Sequence, residues 1–387
     1  MEAIRLLGNE FGIYVHFPFC KKKCDYCDFN SYAGLDSLMS AYTVALIKEI
    51  ERYLPQSRSV RTIYCGGGTP SYFITEFLIY ILNYIREHFF LSRDQIETTL
   101  EINPGTINLQ SLVELRNAGV NRLSIGLQAT QDELLKRIGR VHTWDDFCFT
   151  YHLARDVGFN NIGLDLIFGL PGQTLTEWKE TLAKVVNLSP NHISAYALQV
   201  ESGTKLAAKV EAGEFILPSE DEVAAMMAYT METLPLAGYE HYEISNYAKP
   251  GFRSEHNLNY WLGRDYLGFG AGAFSTFQGK RYCNLHHPQE YINALKYDQS
   301  LIVESEIIDE QLALKERLML GLRLADGVNL NEFRRSLVPT SFGRLEREID
   351  ELVNLGLIRR FDNTIQLTTN AMMISNSIIS RLLSVWS

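Results

Sequence analysis

Three cysteines crowd one short stretch, FPFCKKKCDYCDFNSY, as Cys20, Cys24 and Cys27. Their spacing is C-x3-C-x2-C. Thiolate sulfur is the ligand type of iron–sulfur clusters, and three thiolates on one tight loop can hold three corners of a [4Fe–4S] cube. No fourth ligand stands nearby, so one iron would stay open to a small chelating molecule. The competing readings are a zinc site and coincidence. Zinc ordinarily takes four ligands, often from paired knuckles, and the chain has no second C-x2-C. Cys65, Cys148 and Cys283 are isolated and read as small buried or unpaired thiols. Lys21, Lys22 and Lys23 lie between the first two thiols. They either offset the charge of thiolates and cluster or form a solvated loop face.

A second stretch, GGGTP at 66–70, ends an apolar run. Glycines let a backbone come close to a ligand and offer it N–H and C=O groups. Such a turn is weak evidence alone and gains weight beside a cysteine loop.

The elements that must position these groups alternate. GIYVHF, VRTIYC, ETTLEI, VNRLSIGL, NIGLDLIFGL and HISAYALQV are strand-like. Between them run stretches of helical spacing: LMSAYTVALIKEIERYL, EFLIYILNYIREHF, LQSLVELRNAG, two helices from about Gln131 to Val157, and TEWKETLAKVVNL. Such alternation implies a parallel sheet with helical crossovers, here an α/β fold built as a partial (β/α)6 barrel. Chemistry in such folds gathers at the C-terminal strand ends. Cys20, Gly66 to Thr69, Glu101 and Gln128 fall there, and Asp165 lies just inside its strand. We therefore expect a barrel over 1–217. A stretch rich in aromatics and glycine follows over 218–304, opening with the helix EDEVAAMMAYTMETLPLAG. Over 305–387 come three helices and a hairpin turning at Asp362-Asn363, a winged-helix-like pattern.

The chain has 387 residues, of which 46% are hydrophobic and 21% charged, with a formal net charge of −10. An acidic balance argues against general nucleic-acid binding, because that affinity rests on Lys and Arg neutralising phosphates. The stretch from Ser305 onward carries 11 acidic residues against 10 Lys and Arg, so its winged-helix pattern lacks a basic face. No apolar run approaches the ~20 residues of a spanning helix; peripheral membrane contact stays open. The N-terminus lacks a basic region followed by an apolar one, so no secretory signal is expected. A cytoplasmic chain keeps its thiols reduced, which favours a metal site over disulfides.

The cysteine loop after the first strand and GGGTPS after the second together resemble the radical-SAM superfamily. Tyr26, ahead of Cys27, fits the aromatic usual at that place. The resemblance implies that S-adenosylmethionine (SAM) binds the open iron and that one electron can cleave it to a 5′-deoxyadenosyl radical. It sets Gly67, Gly68 and Thr69 against SAM and adds Tyr14, beside the cluster strand, and Glu101 of EINP. Gln128 in RLSIGLQ, Arg140 in LLKRIGRVH and Asp165 in GLDLIFGLPGQT match the branch that acts on porphyrin precursors. There, some of these positions line a second SAM site. An arginine suits a carboxylate partner, and carboxylates suit ribose hydroxyls or an α-amino group.

Over its whole length the chain resembles the family of oxygen-independent coproporphyrinogen III dehydrogenases and its heme-chaperone branch, HemW. The dehydrogenase pattern is C-x3-C-x2-C-x-C, and Phe29 stands at the fourth position here. Phenylalanine cannot ligate metal or exchange a proton as a thiol does. The dehydrogenase also has a longer segment ahead of the cluster strand, where this chain has about a dozen residues. HNLNYW at 256–261 matches the H-N-x-x-Y-W motif of the chaperone branch. All three features imply a heme chaperone that passes heme to an acceptor apo-protein. His256 is the candidate heme contact, since imidazole commonly ligates heme iron. Its alternative role is to bond to the backbone within an aromatic loop. Phe274 in GAGAFS replaces a histidine often seen in chaperones, and His286-His287 before Pro288 suggests a surface turn. The C-terminal module is expected to cover the barrel mouth or meet the acceptor. The alternative function is the dehydrogenase itself, which would convert two propionates of coproporphyrinogen III to vinyl groups without a thiol at Phe29. A radical-SAM nucleic-acid modifier conflicts with the charge.

Overall fold

The computed structural model describes residues 9–386. The first eight residues, part of the stretch read above for a secretory signal, lie outside them. The alternating runs form the expected units in order. These are β1 (Glu10–Phe17), α1 (Met39–Glu51), β2 (Ser59–Gly67), α2 (Thr75–His88), β3 (Glu97–Ile102), α3 (Leu109–Asn117), β4 (Arg122–Gln128), α4 (Asp132–Arg137), α5 (Trp144–Val157), β5 (Ile162–Phe168), α6 (Leu175–Leu188) and β6 (His192–Ala197). Strands β1 to β6 pair in sequence order and all in parallel. Both faces of such a sheet are covered, so its strands bury nearly every residue. All seven residues of β4 are buried, including Arg122 and Gln128.

Helix ends follow local chemistry. Thr143 with Asp146, and Thr174 with Glu177, form reciprocal capping boxes on α5 and α6. Gly158, in the left-handed region, ends α5. After the short α7 (Lys205–Glu211) comes α8 (Glu220–Leu236). The Trp178 indole of α6 is buried and donates to Thr230 Oγ1 at 2.9 Å, tying α6 to α8.

The aromatic and glycine-rich stretch enlarges the same sheet instead of forming a separate layer. It supplies β7 (Glu240–His241), β8 (Asn246–Ala248), α9 (Glu255–Trp261), β9 (Tyr266–Phe269), β10 (Phe274–Phe277), β11 (Lys280–Asn284), α10 (Pro288–Lys296) and the start of β12 (Ile302–Ile307), which runs across the boundary expected at 304–305. The full order is β12-β11-β10-β9-β1-β2-β3-β4-β5-β6-β8-β7. The parallel run is thus an open barrel wall. Its first strand takes β9 in parallel on the free edge, and its last takes β8 antiparallel.

A second apolar cluster belongs to the C-terminal module: α11 (Glu310–Gly321), β13 (Val328–Asn329), α12 (Leu330–Ser336), α13 (Pro339–Asn354), β14 (Ile358–Phe361), β15 (Thr364–Leu367) and α14 (Ser375–Leu383). Phe342, Leu345, Ile349 and Leu352 recur at helical spacing and are the buried face of α13. The β14–β15 hairpin turns at Asp362-Asn363 as expected, with Asp362 in the left-handed region at φ 50°. Ala325 N–H donates to Tyr242 O at 3.0 Å, and Arg253 pairs with Asp326 at 2.8 Å, which joins the module to the sheet. Among the described residues no helix is long and apolar enough to cross a membrane.

Candidate cluster and SAM site

The cysteine loop leaves β1 and is zipped to the glycine turn by backbone bonds. Gly68 N–H donates to Phe17 O at 2.9 Å and Thr69 N–H to Phe19 O at 2.9 Å. Phe19 and Cys20 pair in parallel with Tyr32 and Ala33, which closes the loop on itself. Both glycines are required by space. A Cβ on Gly68 would stand 2.8 Å from Phe19 O and 2.9 Å from Phe17 O, and one on Gly67 would stand 2.5 Å from the His16 ring. Gly67 also sits at φ 112°, where side-chain-bearing residues are strained.

One chain of contacts joins two of the thiols. Cys20 Sγ lies 3.4 Å from Thr69 Oγ1. Thr69 Oγ1 accepts from Asn103 Nδ2 at 2.8 Å, and Asn103 Oδ1 accepts from Arg140 Nη2 at 2.8 Å. Arg140 Nη1 then reaches to 3.8 Å from Cys24 Sγ, while Nη2 also donates to Gly126 O at 2.6 Å. Cys27 Sγ lies 3.8 Å from Ser31 Oγ. Burial holds the Cys20 and Cys27 thiols above the usual thiol range. Among the described residues no three His, Cys, Asp or Glu side chains converge as ligands of one metal ion. Thiolates that each bind a different iron of a cube need not converge in that way. The donor set, three thiols with a buried guanidinium against one of them, fits an anionic thiolate-bound cluster.

The loop is clamped from behind by a residue the sequence did not single out. Asp25 is buried; its N–H donates to Ile138 O at 3.0 Å and its carboxylate accepts from Lys209 Nζ at 2.6 Å. The lysine run divides. Lys21 and Lys22 are exposed, whereas Lys23 Nζ donates to Phe29 O at 3.0 Å and so ties the loop across its two ends.

Strand register gathers the polar groups on neighbouring strands. Glu101 lies beside Ser124, Gly126 beside Asp165, and Asp165 beside Ser194. Glu101 accepts from Tyr64 OH at 2.8 Å and from Gly67 N–H at 3.1 Å, and Asp165 accepts from Ser124 Oγ at 3.0 Å. Burial pushes Glu101 up to about 7, against the bonds from Tyr64 and Gly67, and the Asp165 charge adds to the rise. Burial likewise raises Asp165. A cationic ligand entering here would relieve both carboxyls, a condition the sulfonium and α-amino groups of SAM meet. Gln128 ends β4 at a register shift with φ 70°, a strained conformation for a residue bearing a side chain. Its amide is thereby turned toward Gly126. Tyr26 lies against Arg140, and burial raises its phenol, with the arginine opposing. Tyr14 OH contacts His16 Nδ1 at 2.9 Å, and its ring stacks on Tyr64 with centroids 6.1 Å apart.

Asn103 was the other missed group, although its signal was present. It stands one residue past the end of β3 and two after Glu101, where the strand's alternation, if continued, sets it on the Glu101 face.

His256, the candidate heme contact, is held by protein groups. HNLNYW forms the short helix α9, not an aromatic loop. The imidazole is buried, with Nδ1 2.8 Å from Thr62 Oγ1 and Nε2 2.9 Å from Tyr260 OH, and it stacks on Tyr64. Both ring nitrogens are engaged by protein groups, so neither faces iron in this arrangement. Burial lowers its pKa to about 3, which keeps the ring neutral. Its bonds run to side chains, while its own N–H donates to Glu97 Oε1 at 2.8 Å. His286 and His287 differ from each other. His287 accepts from Gln289 N–H at 3.2 Å as the cap of α10, while His286 is exposed. Cys65 is buried in the main core, and Cys283 is buried beside Asn284 O at 3.3 Å.

Residues 14–185 match the radical SAM superfamily, and residues 308–374 match the HemN C-terminal domain. The heme chaperone HemW of Bacillus subtilis is 34% identical over 372 residues, which cover 96% of this chain and 98% of that one. The heme chaperone HemW of Lactococcus lactis is 36% identical over 379 residues, covering 98% of each. Among solved structures, coproporphyrinogen III oxidase (HemN) from Escherichia coli superposes with a TM-score of 0.85 at 23% identity, over 98% of this chain and 92% of that one. That likeness establishes the fold.

Proposed function

Because the chain belongs to the HemW family of the radical SAM superfamily, we propose that it is a heme chaperone: it binds heme beside a SAM-ligated [4Fe–4S] cluster and passes the heme to an acceptor apo-protein. Radical SAM membership brings the cluster and SAM with it. In this reading Cys20, Cys24 and Cys27 ligate iron, and Tyr14, Tyr26, Gly67, Gly68, Thr69, Glu101, Gln128, Arg140 and Asp165 form the surrounding cofactor site. When bound, cluster and SAM supply one-electron chemistry. The protein's own part is to hold the loop by Asp25, to carry positive charge to Cys24 on Arg140, and to present raised carboxyls to a cation.

The single observation that carries the choice of chaperone over dehydrogenase is near-full-length similarity to proteins of that name, in a chain whose fourth cysteine position holds Phe29. Phe29 is 67% exposed on the loop and offers no proton, electron or ligand. The acceptor is a protein of unassigned identity.

The test is kinetic. Holo-protein loaded with one equivalent of heme is mixed with rising excesses of an apo b-type cytochrome. Direct handover requires a complex, so the transfer rate should rise with acceptor concentration and saturate. A rate independent of acceptor, equal to simple heme loss, would overturn the transfer reading.

A further inference from the structure

A cavity of about 540 Å³ lies between the cysteine loop, the end of α9 and the strands β1, β9 and β10. Its size falls within the range of small-molecule and cofactor sites. Aromatic rings make much of its wall, among them Tyr14, Phe29, Tyr32, Tyr260 and Phe274. Two of these answer to the sequence departures. By the resemblance, Phe29 stands where the dehydrogenase has its fourth cysteine and Phe274 where the chaperone pattern often shows histidine, and both line this one cavity. They are 67% and 43% exposed, so the chain alone leaves two large apolar rings in water at one place. Exposed apolar surface gathered in a concavity marks a binding site for an apolar partner.

The polar groups narrow the partner. Lys23 and Asp28 line the wall, and Lys23 spends one of its donors on Phe29 O, leaving others for a ligand carboxylate. Two histidines line it. His16 is engaged at both nitrogens, Nδ1 by Tyr14 OH and Nε2 by Asn30 O at 2.8 Å. His286 holds its neighbours through its backbone carbonyl, which accepts from Asn30 Nδ2 at 2.9 Å. Among the described residues no hydrogen bond is made to its ring. Tyr14, Tyr32 and Tyr260 have their hydroxyls bonded to His16, Asn30 and His256. A flat apolar ring system carrying carboxylates and a metal that accepts imidazole satisfies all of these features together.

We propose that heme sits in this cavity, with the His286 imidazole as its axial ligand, Phe29 and Phe274 as apolar contacts and Lys23 facing a propionate. The proposal rests on the heme-chaperone reading and gives the axial position to His286, while His256 stands behind the cavity wall, bonded to the lining residue Tyr260. Phe29 then has a positive role: an aromatic contact replaces a thiol where a chain keeps its porphyrin and does not transform it.

The test is an anaerobic hemin titration of the cluster-loaded protein with SAM, following the Soret band and resonance Raman ligation markers. His286 is exposed, so His286→Ala should leave circular dichroism and iron–sulfur content unchanged. It is expected to weaken hemin binding at least tenfold and to abolish the histidine-ligation signature, and free imidazole should restore that signature. Phe29→Ala with Phe274→Ala should weaken binding while keeping it. If His286→Ala binds hemin with wild-type affinity and spectrum, the site assignment is overturned and the chaperone reading stands. If the wild type takes up no hemin, the chaperone reading itself falls, and this site with it.

Discussion

Replacing Cys20, Cys24 or Cys27 singly with alanine is expected to abolish cluster loading. Reconstituted wild-type protein should carry about four irons per chain, and each variant should carry at least tenfold less. The reason is ligand count. With three thiols and no fourth protein ligand at hand, two remaining sulfurs leave half of the cube without protein ligands. Cys20 is buried and Cys27 half-buried, and their thiols are raised by that burial. They have little tendency to ionise unless iron takes the proton's place. Cys148→Ala is the control, since that half-buried thiol sits on α5 away from the loop and should load normally. Iron and sulfide analysis with visible absorption reads the result. Near-full loading in Cys20→Ala would mean that this loop is not where the cluster binds.

The second large effect is expected at Arg140. Its guanidinium is buried and serves two acceptors, Gly126 O and Asn103 Oδ1, besides reaching Cys24. Arg140→Met removes the donors and leaves Gly126 O buried, and Asn103 Oδ1 part-buried, without them. Each unmade bond costs about 1–3 kcal/mol, so unfolding free energy should fall by roughly 2–4 kcal/mol. The charge beside Cys24 disappears as well, so cluster loading should fall beyond what lost stability explains. Arg140→Lys keeps the charge with poorer geometry. It should recover most of the cluster loading and only part of the stability. Urea unfolding and iron content, measured on the same samples, separate the two. Equal cluster loading in Met and Lys variants would show that the positive charge does nothing for the thiolates.

The sequence was most informative where one period ran over many residues. The six parallel strands and their helices follow from such runs, and so do the ends where Cys20, Gly67, Glu101 and Gln128 fall. It was least informative from Glu240 to Ile307. There the strands are two to six residues long and owe their existence to neighbours already in the sheet. Tyr266 to Phe269 becomes a strand because β1 has an open edge, which no local pattern announces. His256 shows the same limit at the level of a side chain. Its partner Tyr260 stands four residues on, within the motif and on the same helix face. Its other partner, Thr62, is 194 residues away in sequence, on β2. Imidazole chemistry suggested a ligand; the contact with Thr62, which no local pattern announces, buries the ring and keeps it neutral. The link from Cys20 through Thr69, Asn103 and Arg140 to Cys24 was half visible, because its members lie at strand ends while its bonds depend on register.

The measurement that bears most directly on the central claim is an anaerobic turnover assay. Cluster-loaded protein is given reductant, SAM and coproporphyrinogen III beside an active dehydrogenase, and protoporphyrinogen IX is quantified over time. The account predicts no multiple-turnover product from this chain while cluster and SAM binding are intact. Sustained formation of protoporphyrinogen IX would contradict it, and would make Phe29 a replacement that catalysis tolerates.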